Sequence, residues 1–241
     1  MVSLFADWHT HTRFSHGKGS ILDNVGMARK RGLSSIAITD HGPRNILVGS
    51  SEKKLLQLRE LVDRYNELYD DIEILAGVEA NVVDLDGNLD VSPYVLARLD
   101  IVLVGLHKWV MPGDLYTAIH FHLPNSLGID YARLRRLNTE AITNAVKRYE
   151  VDIVTHPGLH INIDTRELAR VCKERDTLLE INASHGYLTL EYIKIAREEG
   201  ARFVINSDAH RPQDVGSLGA GIALASEAGL TVGEIANAKE D

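Results

Sequence analysis

The sequence predicts an α/β chain built around a parallel sheet, and three observations carry that expectation. Short Val/Ile/Leu-rich runs recur along the 241 residues without clean alternation of apolar and polar positions, as in strands covered on both faces. Segments of helical periodicity separate the runs, which suits right-handed crossovers between parallel strands. Histidines and carboxylates gather just beyond the runs, at the sheet end where parallel α/β folds place their chemistry.

In chain order the strands are expected at 2–8, 35–39, 72–78, 101–106, 151–155, 178–182 and 202–206. Helices are expected near 21–31, 52–68, 131–149, 165–175, 189–199 and 217–229. Within 52–68, Leu55, Leu58, Leu61, Val62, Tyr65 and Leu68 form one apolar stripe at i, i+3, i+4 spacing. Ser20 with Asp23 three residues on, Ser51 and Asp164 read as N-caps, and Gly32 and Gly200 as C-terminal stops. Residues 84–90, Asp-Leu-Asp-Gly-Asn-Leu-Asp, read as a small hairpin or tight turn after the third strand. Seven β/α units close into a barrel or remain an open doubly wound sheet, and periodicity does not separate the two. No linker, low-complexity tract or repeat interrupts the chain, so one domain is expected over 1–241.

Composition narrows the function classes. With 44% hydrophobic and 25% charged residues the chain is ordinary globular protein. No stretch approaches the ~18 apolar residues of a membrane span, and the start lacks the basic region of a signal peptide, so a cytoplasmic location is expected. The lone cysteine, Cys172, excludes an internal disulfide and any multi-thiolate zinc cage. A net charge of −8 without a Lys/Arg run argues against an extended nucleic-acid footprint or a membrane surface.

The eleven histidines are the unusual feature. The four positions after each expected strand hold seven of them, His9, His11, His41, His107, His156, His185 and His210, where about one is expected at random. The third strand contributes Glu79 instead, and the seventh adds Asp208. His9-Thr10-His11 and Asp208-Ala209-His210 each put two donors on one side of an extended segment, because side chains repeat every second residue. With His16, the candidates are His9, His11, His16, His41, Glu79, His107, His156, Asp208 and His210. That set exceeds a mononuclear site and matches two or three divalent ions. Three such ions carry about +6 against −2 from the two carboxylates, a centre that attracts an anion such as phosphate.

At this point the sequence resembles the polymerase and histidinol phosphatase (PHP) family. The carriers are Asp7-Trp8-His9-Thr10-His11-Thr12 with Phe14-Ser15-His16-Gly17, then Ile38-Thr39-Asp40-His41-Gly42 and Gly77-Val78-Glu79-Ala80-Asn81. Gly105-Leu106-His107, Thr155-His156-Pro157-Gly158 and Asn206-Ser207-Asp208-Ala209-His210 complete the ordered set. The resemblance implies a distorted seven-stranded (β/α)7 barrel, TIM-like, with a trinuclear centre of zinc foremost, or manganese or iron. Carried over by position, His9, His11 and Asp208 hold one ion and Glu79 bridges to a second, completed by His107 and His156. His16, His41 and His210 hold the third. Many polymerase-attached relatives carry aspartate where this chain has His16, so it looks more like the stand-alone phosphatases.

The activity so implied is hydrolysis of phosphate esters by a metal-bridging hydroxide, on a small phosphorylated metabolite, with Glu79 and Asp208 at its heart. Arg13 and Arg211 are the expected phosphate clamps among five nearby cations that include Lys18, Arg44 and Lys108. His185 is the candidate acid for the leaving group, with a structural role as the alternative. Asp40 reads either as an acceptor that orients an imidazole or as a helix cap. Residues 107–130 are a lid or an unread helix, with Trp109, Tyr116 and Phe121 as wall or core. His120, His122 and His160 lie outside the ligand pattern. The rivals are a nuclease acting on nucleic-acid ends, an amidohydrolase barrel with Lys108 as its bridging lysine, and a catalytically silent metal-binding module.

Overall fold

The computed structural model describes residues 3–129 and 131–240. Its centre is a seven-stranded parallel sheet in strict chain order: β2 (Ala6–Asp7), β3 (Ser35–Ile38), β4 (Glu73–Asn81), β5 (Ile101–Gly105), β6 (Ile153–Val154), β7 (Leu178–Asn182) and β8 (Phe203–Asn206). The first and last of these meet beyond their ladders. Thr10 pairs with Ala209 in a parallel bridge, and His11 N–H donates to Ala209 O at 2.8 Å. Side chains complete the seam: Asp7 accepts from Ser207 N–H, Ser207 O–H and Gly216 N–H, and Trp8 N–H donates to Asn206 Oδ1. The sheet is therefore a nearly closed barrel rather than an open doubly wound sheet.

Helices pack around it: α1 (Ile21–Lys30), α2 (Glu52–Asn66), α3 (Pro93–Leu96), α4 (Leu115–Thr117), α5 (Leu123–Ser126), α6 (Ala132–Arg148), α7 (Thr165–Arg175), α8 (Leu190–Glu198) and α9 (Gly219–Glu227). The caps fall where the sequence places them. Ser20 and Asp23 form a reciprocal capping box on α1, Ser51 accepts from Lys54 N–H, and Asp164 accepts from Arg166 and Glu167 N–H. Of the α2 stripe, Leu55, Leu58 and Val62 are fully buried, each such side chain contributing about 1.5–3 kcal/mol of burial. The expected hairpin at 84–90 is present, with Val82 bridged to Leu89 and Gly87 in the left-handed region.

The first expected strand is split, and its residue Val2 lies outside the described residues. β1 (Ser3–Leu4) pairs antiparallel with β9 (Ala238–Lys239), while β2 pairs with β3. The change of partner is made at Phe5, whose N–H donates to Asn237 O and whose carbonyl accepts from Ser34 and Ser35. Residues 107–130, of which Asp130 is not described, hold α4, a π-turn over Ala118–His122 and α5. Phe121 is core, whereas Trp109 and Tyr116 are exposed. Among the described residues no helix is long and apolar enough to cross a membrane.

Candidate metal centre

Every β-strand of the barrel delivers polar groups to one mouth. His9 and His11 follow β2, His41 follows β3, Glu79 lies near the end of β4, and His107 and His156 follow β5 and β6. Asp208 and His210 follow β8. Glycines give the rings room. A Cβ at Gly105 would stand 2.7 Å from the His107 ring, and one at Gly17 would stand 2.5 Å from the His11 carbonyl oxygen. His156 and Asp208 both adopt positive φ, 25° and 54°, a strain of about 1–3 kcal/mol each that the surrounding barrel sustains.

Glu79 is the hub. Its carboxylate lies 2.7 Å from His41 Nδ1, 2.9 Å from His156 Nε2, 3.1 Å from His107 Nε2, 3.4 Å from His9 Nε2 and 3.7 Å from His11 Nε2. Thr155 O–H also donates to it at 2.9 Å. His9 Nε2 and His11 Nε2 stand 3.1 Å apart, and His11 Nε2 is 3.1 Å from Asp208 Oδ1. Four overlapping groups result, with the donor atoms of each within 4.8 Å of one another: His9–His11–Asp208, His9–Glu79–His156, His41–Glu79–His107 and His11–His41–His210. His16 joins by ring contact, stacked 5.0 Å from His41 and tilted 4.2 Å from His210.

The protonation pattern suits cation binding. Burial alone would raise Glu79, but His107, His9 and His41 hold it well below the usual carboxylate range. Asp208 is likewise held low against burial, by His9 and His11. Burial, reinforced by neighbouring imidazoles, lowers His11 and His210 and takes His16 down to about 4, leaving neutral nitrogen lone pairs. Burial would also lower His9 and His156, yet nearby carboxylates raise both, Glu180 foremost for His9 and Glu79 for His156. Cation binding at either ring would have to displace that proton.

The fit to divalent ions rests on unmet polar atoms. His11 Nδ1, His41 Nδ1 and Glu79 Oε2 are buried without a hydrogen bond, although His41 Nδ1 closely approaches Glu79 Oε2. Buried polar groups are rarely left so. Nitrogen and oxygen donors without sulfur are the chemistry of zinc, manganese or iron.

Comparison with known proteins agrees with this geometry. The PHP domain family matches residues 7–190. The chain belongs to that family. Curated relatives of this PHP domain include a protein named a probable phosphatase from Thermoanaerobacter sp. (strain X514), 34% identical over 95% of this chain and 89% of its own. The DNA polymerase/3'-5' exonuclease PolX of Bacillus subtilis (strain 168) is 30% identical over 97% of this chain but only 39% of its own. The fold matches histidinol phosphate phosphatase from Lactococcus lactis subsp. lactis Il1403, solved with zinc, L-histidinol and phosphate, at TM-score 0.64, 16% identity and 95% coverage of each chain.

Not every expected residue of the PHP domain reaches the cluster. Arg13 is exposed, donates to Lys18 O and faces Asp23 at 3.5 Å. Arg211 is exposed at the start of the turn Pro212–Asp214, where its carbonyl accepts from Asp214 N–H, and its side chain makes no hydrogen bond among the described residues. Arg44 donates to Pro112 O, and Lys108 acts on His160. His185 does arrive, with Nε2 3.6 Å from Asp208 Oδ2 and the side chain 44% exposed. Asp40 neither orients an imidazole nor caps a helix. It accepts from Thr12 and Ser15, backbone and hydroxyl alike, and so fixes the loop that carries His16.

Sequence reasoning missed Glu180. Fully buried on β7, it accepts from His9 Nδ1 at 2.7 Å, His156 N–H at 2.7 Å, and Asn182 and Asn206 amides at 3.0 Å each. Asn81 does the same for His107, accepting from Nδ1 at 2.7 Å while its own amide donates to Asp90. Glu180→Gln is therefore expected to weaken zinc affinity by roughly 10–100-fold while kcat at saturating zinc changes far less. Competition with a chromophoric chelator measures this, and unchanged affinity would contradict the orienting role.

Proposed function

We propose that this PHP domain hydrolyses small phosphomonoesters with three divalent cations, zinc foremost, held by His9, His11, His16, His41, Glu79, His107, His156, Asp208 and His210. The observation that carries the reading is Glu79, a buried carboxylate within reach of five imidazoles and with one oxygen lacking any hydrogen bond. Divalent cations in such a site supply positive field to phosphoryl oxygens and acidify water near neutral pH. The chain's own residues do the rest. Glu180 and Asn81 fix the rings of His9 and His107, and Asp40 fixes the His16 loop. Arg211, exposed beside His210, is the cation assigned to the phosphate, where a guanidinium offers two parallel donors. Arg13, directed to Asp23, serves the loop instead. His185 is assigned the proton for the leaving alkoxide, since the other imidazoles at the mouth are committed as ligands. The similarity to probable phosphatases supports the same reaction class.

A second reading, cleavage at nucleic-acid ends, is favoured by the similarity to PolX. Charge argues against it. Gripping a polynucleotide takes successive Lys/Arg contacts, and this chain is net −8 without a basic run. A small phosphomonoester is expected to exceed single-stranded DNA by at least ~10-fold in kcat/KM, about 1.4 kcal/mol. Side-by-side kinetics at one salt concentration, with zinc- or manganese-loaded protein, decide it. Faster release of DNA ends would transfer the assignment to the second reading.

A further inference from the structure

A cavity of about 520 Å³ opens beside the cluster, within the range of small-ligand sites. It begins next to the chemistry on two sides. Pro157 in its wall follows His156, and Gly186 follows His185, whose Nε2 is 3.6 Å from Asp208. An ester with its phosphorus at the cluster would extend its alcohol half into this space. We infer that the cavity is the alcohol subsite and that it selects an uncharged, ring-bearing alcohol. This inference rests on the phosphoester reading above.

The lining supplies the selectivity. Among the described residues it contains no Asp, Glu, Lys or Arg. Tyr187, Tyr192 and His160 present rings, with Ile129 and Leu134 among the apolar parts of the wall. The His160 and Tyr187 rings meet edge to face at 5.0 Å, an arrangement that leaves ring faces for stacking. Tyr187 Oη and His160 Nδ1 are hydrogen-bonded at 2.9 Å, which leaves His160 Nε2 free of that contact to meet a ligand. Burial and the nearby Lys108, His185 and His156 keep His160 below its ordinary value. His160 is held at φ 58°, so the ring's position is built into a strained turn. An ammonium entering here would lose water with no carboxylate among the described lining residues to replace it, and Lys108, which acts on His160 in the wall, would repel it. The histidinol-type alcohol, a ring carrying an ammonium, is thus disfavoured, whereas a nucleoside-like ring system is accepted.

Binding and turnover test it separately. Titration calorimetry on cation-free protein should detect thymidine but not L-histidinol, a readout independent of hydrolysis. With cation-loaded protein, thymidine 5'-monophosphate should exceed histidinol phosphate by at least ~10-fold in kcat/KM. A Cβ at Gly186 meets nothing within 4 Å, so Gly186→Leu is chosen to add bulk at the cavity wall. That variant should lower the kcat/KM ratio of thymidine 5'-monophosphate to glycerol 3-phosphate by at least ~10-fold and abolish thymidine binding. Ile129→Glu, on the exposed opposite wall, should shift the preference toward histidinol phosphate and serves where Gly186→Leu fails to fold. Preference of the native protein for histidinol phosphate, absence of thymidine binding, or an unmoved ratio in Gly186→Leu would overturn the inference. Failure of loaded protein to hydrolyse p-nitrophenyl phosphate would instead defeat the phosphoester reading, with thymidine binding still deciding the subsite.

Discussion

Glu79→Gln is expected to cut kcat by at least ~10³-fold, about 4 kcal/mol of transition-state stabilisation, with the barrel intact. The amide keeps the shape of the carboxylate but loses its charge and turns one acceptor into a donor. Whichever oxygen the amide nitrogen replaces, Oε1 facing His156 and His107 or Oε2 facing His41, that side loses a lone pair that a cation needs. Asp208→Asn should act in the same direction, since Asp208 accepts from the Asn182 amide while facing His11. His9→Ala removes the ring common to two of the four donor groups. Turnover of p-nitrophenyl phosphate alongside far-UV circular dichroism tests all three. Near wild-type turnover in cation-replete Glu79→Gln or Asp208→Asn, with a native spectrum, would remove these carboxylates from the chemistry.

Stripping divalent cations is expected to lower Tm by about 8–16 °C, the shift for roughly 4 kcal/mol in a chain of this size when cation stands at ~1,000 times its Kd. The histidines of the cluster stand at ring-centroid distances of 4.2–6.0 Å with buried nitrogens lacking partners, groups that bound cations would satisfy. Elemental analysis of protein purified without chelator should find two to three ions per chain. At most one ion after zinc or manganese reconstitution would defeat the trinuclear assignment, and a Tm indifferent to chelator would defeat the linkage.

The barrel and most of the cluster were legible because both leave local marks. A strand covered on both faces must be apolar throughout, and a donor pair on one strand end must be spaced by two, as in His9-Thr10-His11. Closure was not legible, since it is made by Asp7 and Asn206 bonding across about 200 residues. Glu180 was hidden for a related reason. In Leu-Leu-Glu-Ile-Asn it reads as one charge in an apolar strand, and its partners His9 and His156 come from two other strands. A signal was nonetheless present, because a carboxylate inside a covered strand requires a buried partner. Asn81 was quoted within a motif but its task was not, because Asp90 and His107 become its neighbours only through the hairpin and β5. In residues 107–130, a π-turn and Pro124 interrupt the regular period by which short helices are recognised.

The seam between β2 and β8 has a consequence for how the molecule is made. His9 and His11 lie on one bank of it and Asp208 on the other, so the donors that share a cation are among the first and last barrel residues to be synthesised. A growing chain can complete six strands with much of its apolar surface covered and still lack one wall of the mouth. Joining the banks brings together segments about 200 residues apart in the chain, through bonds such as Asp7 to Ser207 that no local contact supplies. A cation held by His9, His11 and Asp208, as proposed above, would return free energy at that step and act as a clasp on the finished ring. A chain ending before Asp208 would keep the His9–Glu79–His156 and His41–Glu79–His107 groups but lose both groups that draw on residues beyond β8, so the last of the proposed cations would be held only once synthesis has passed the end of the barrel.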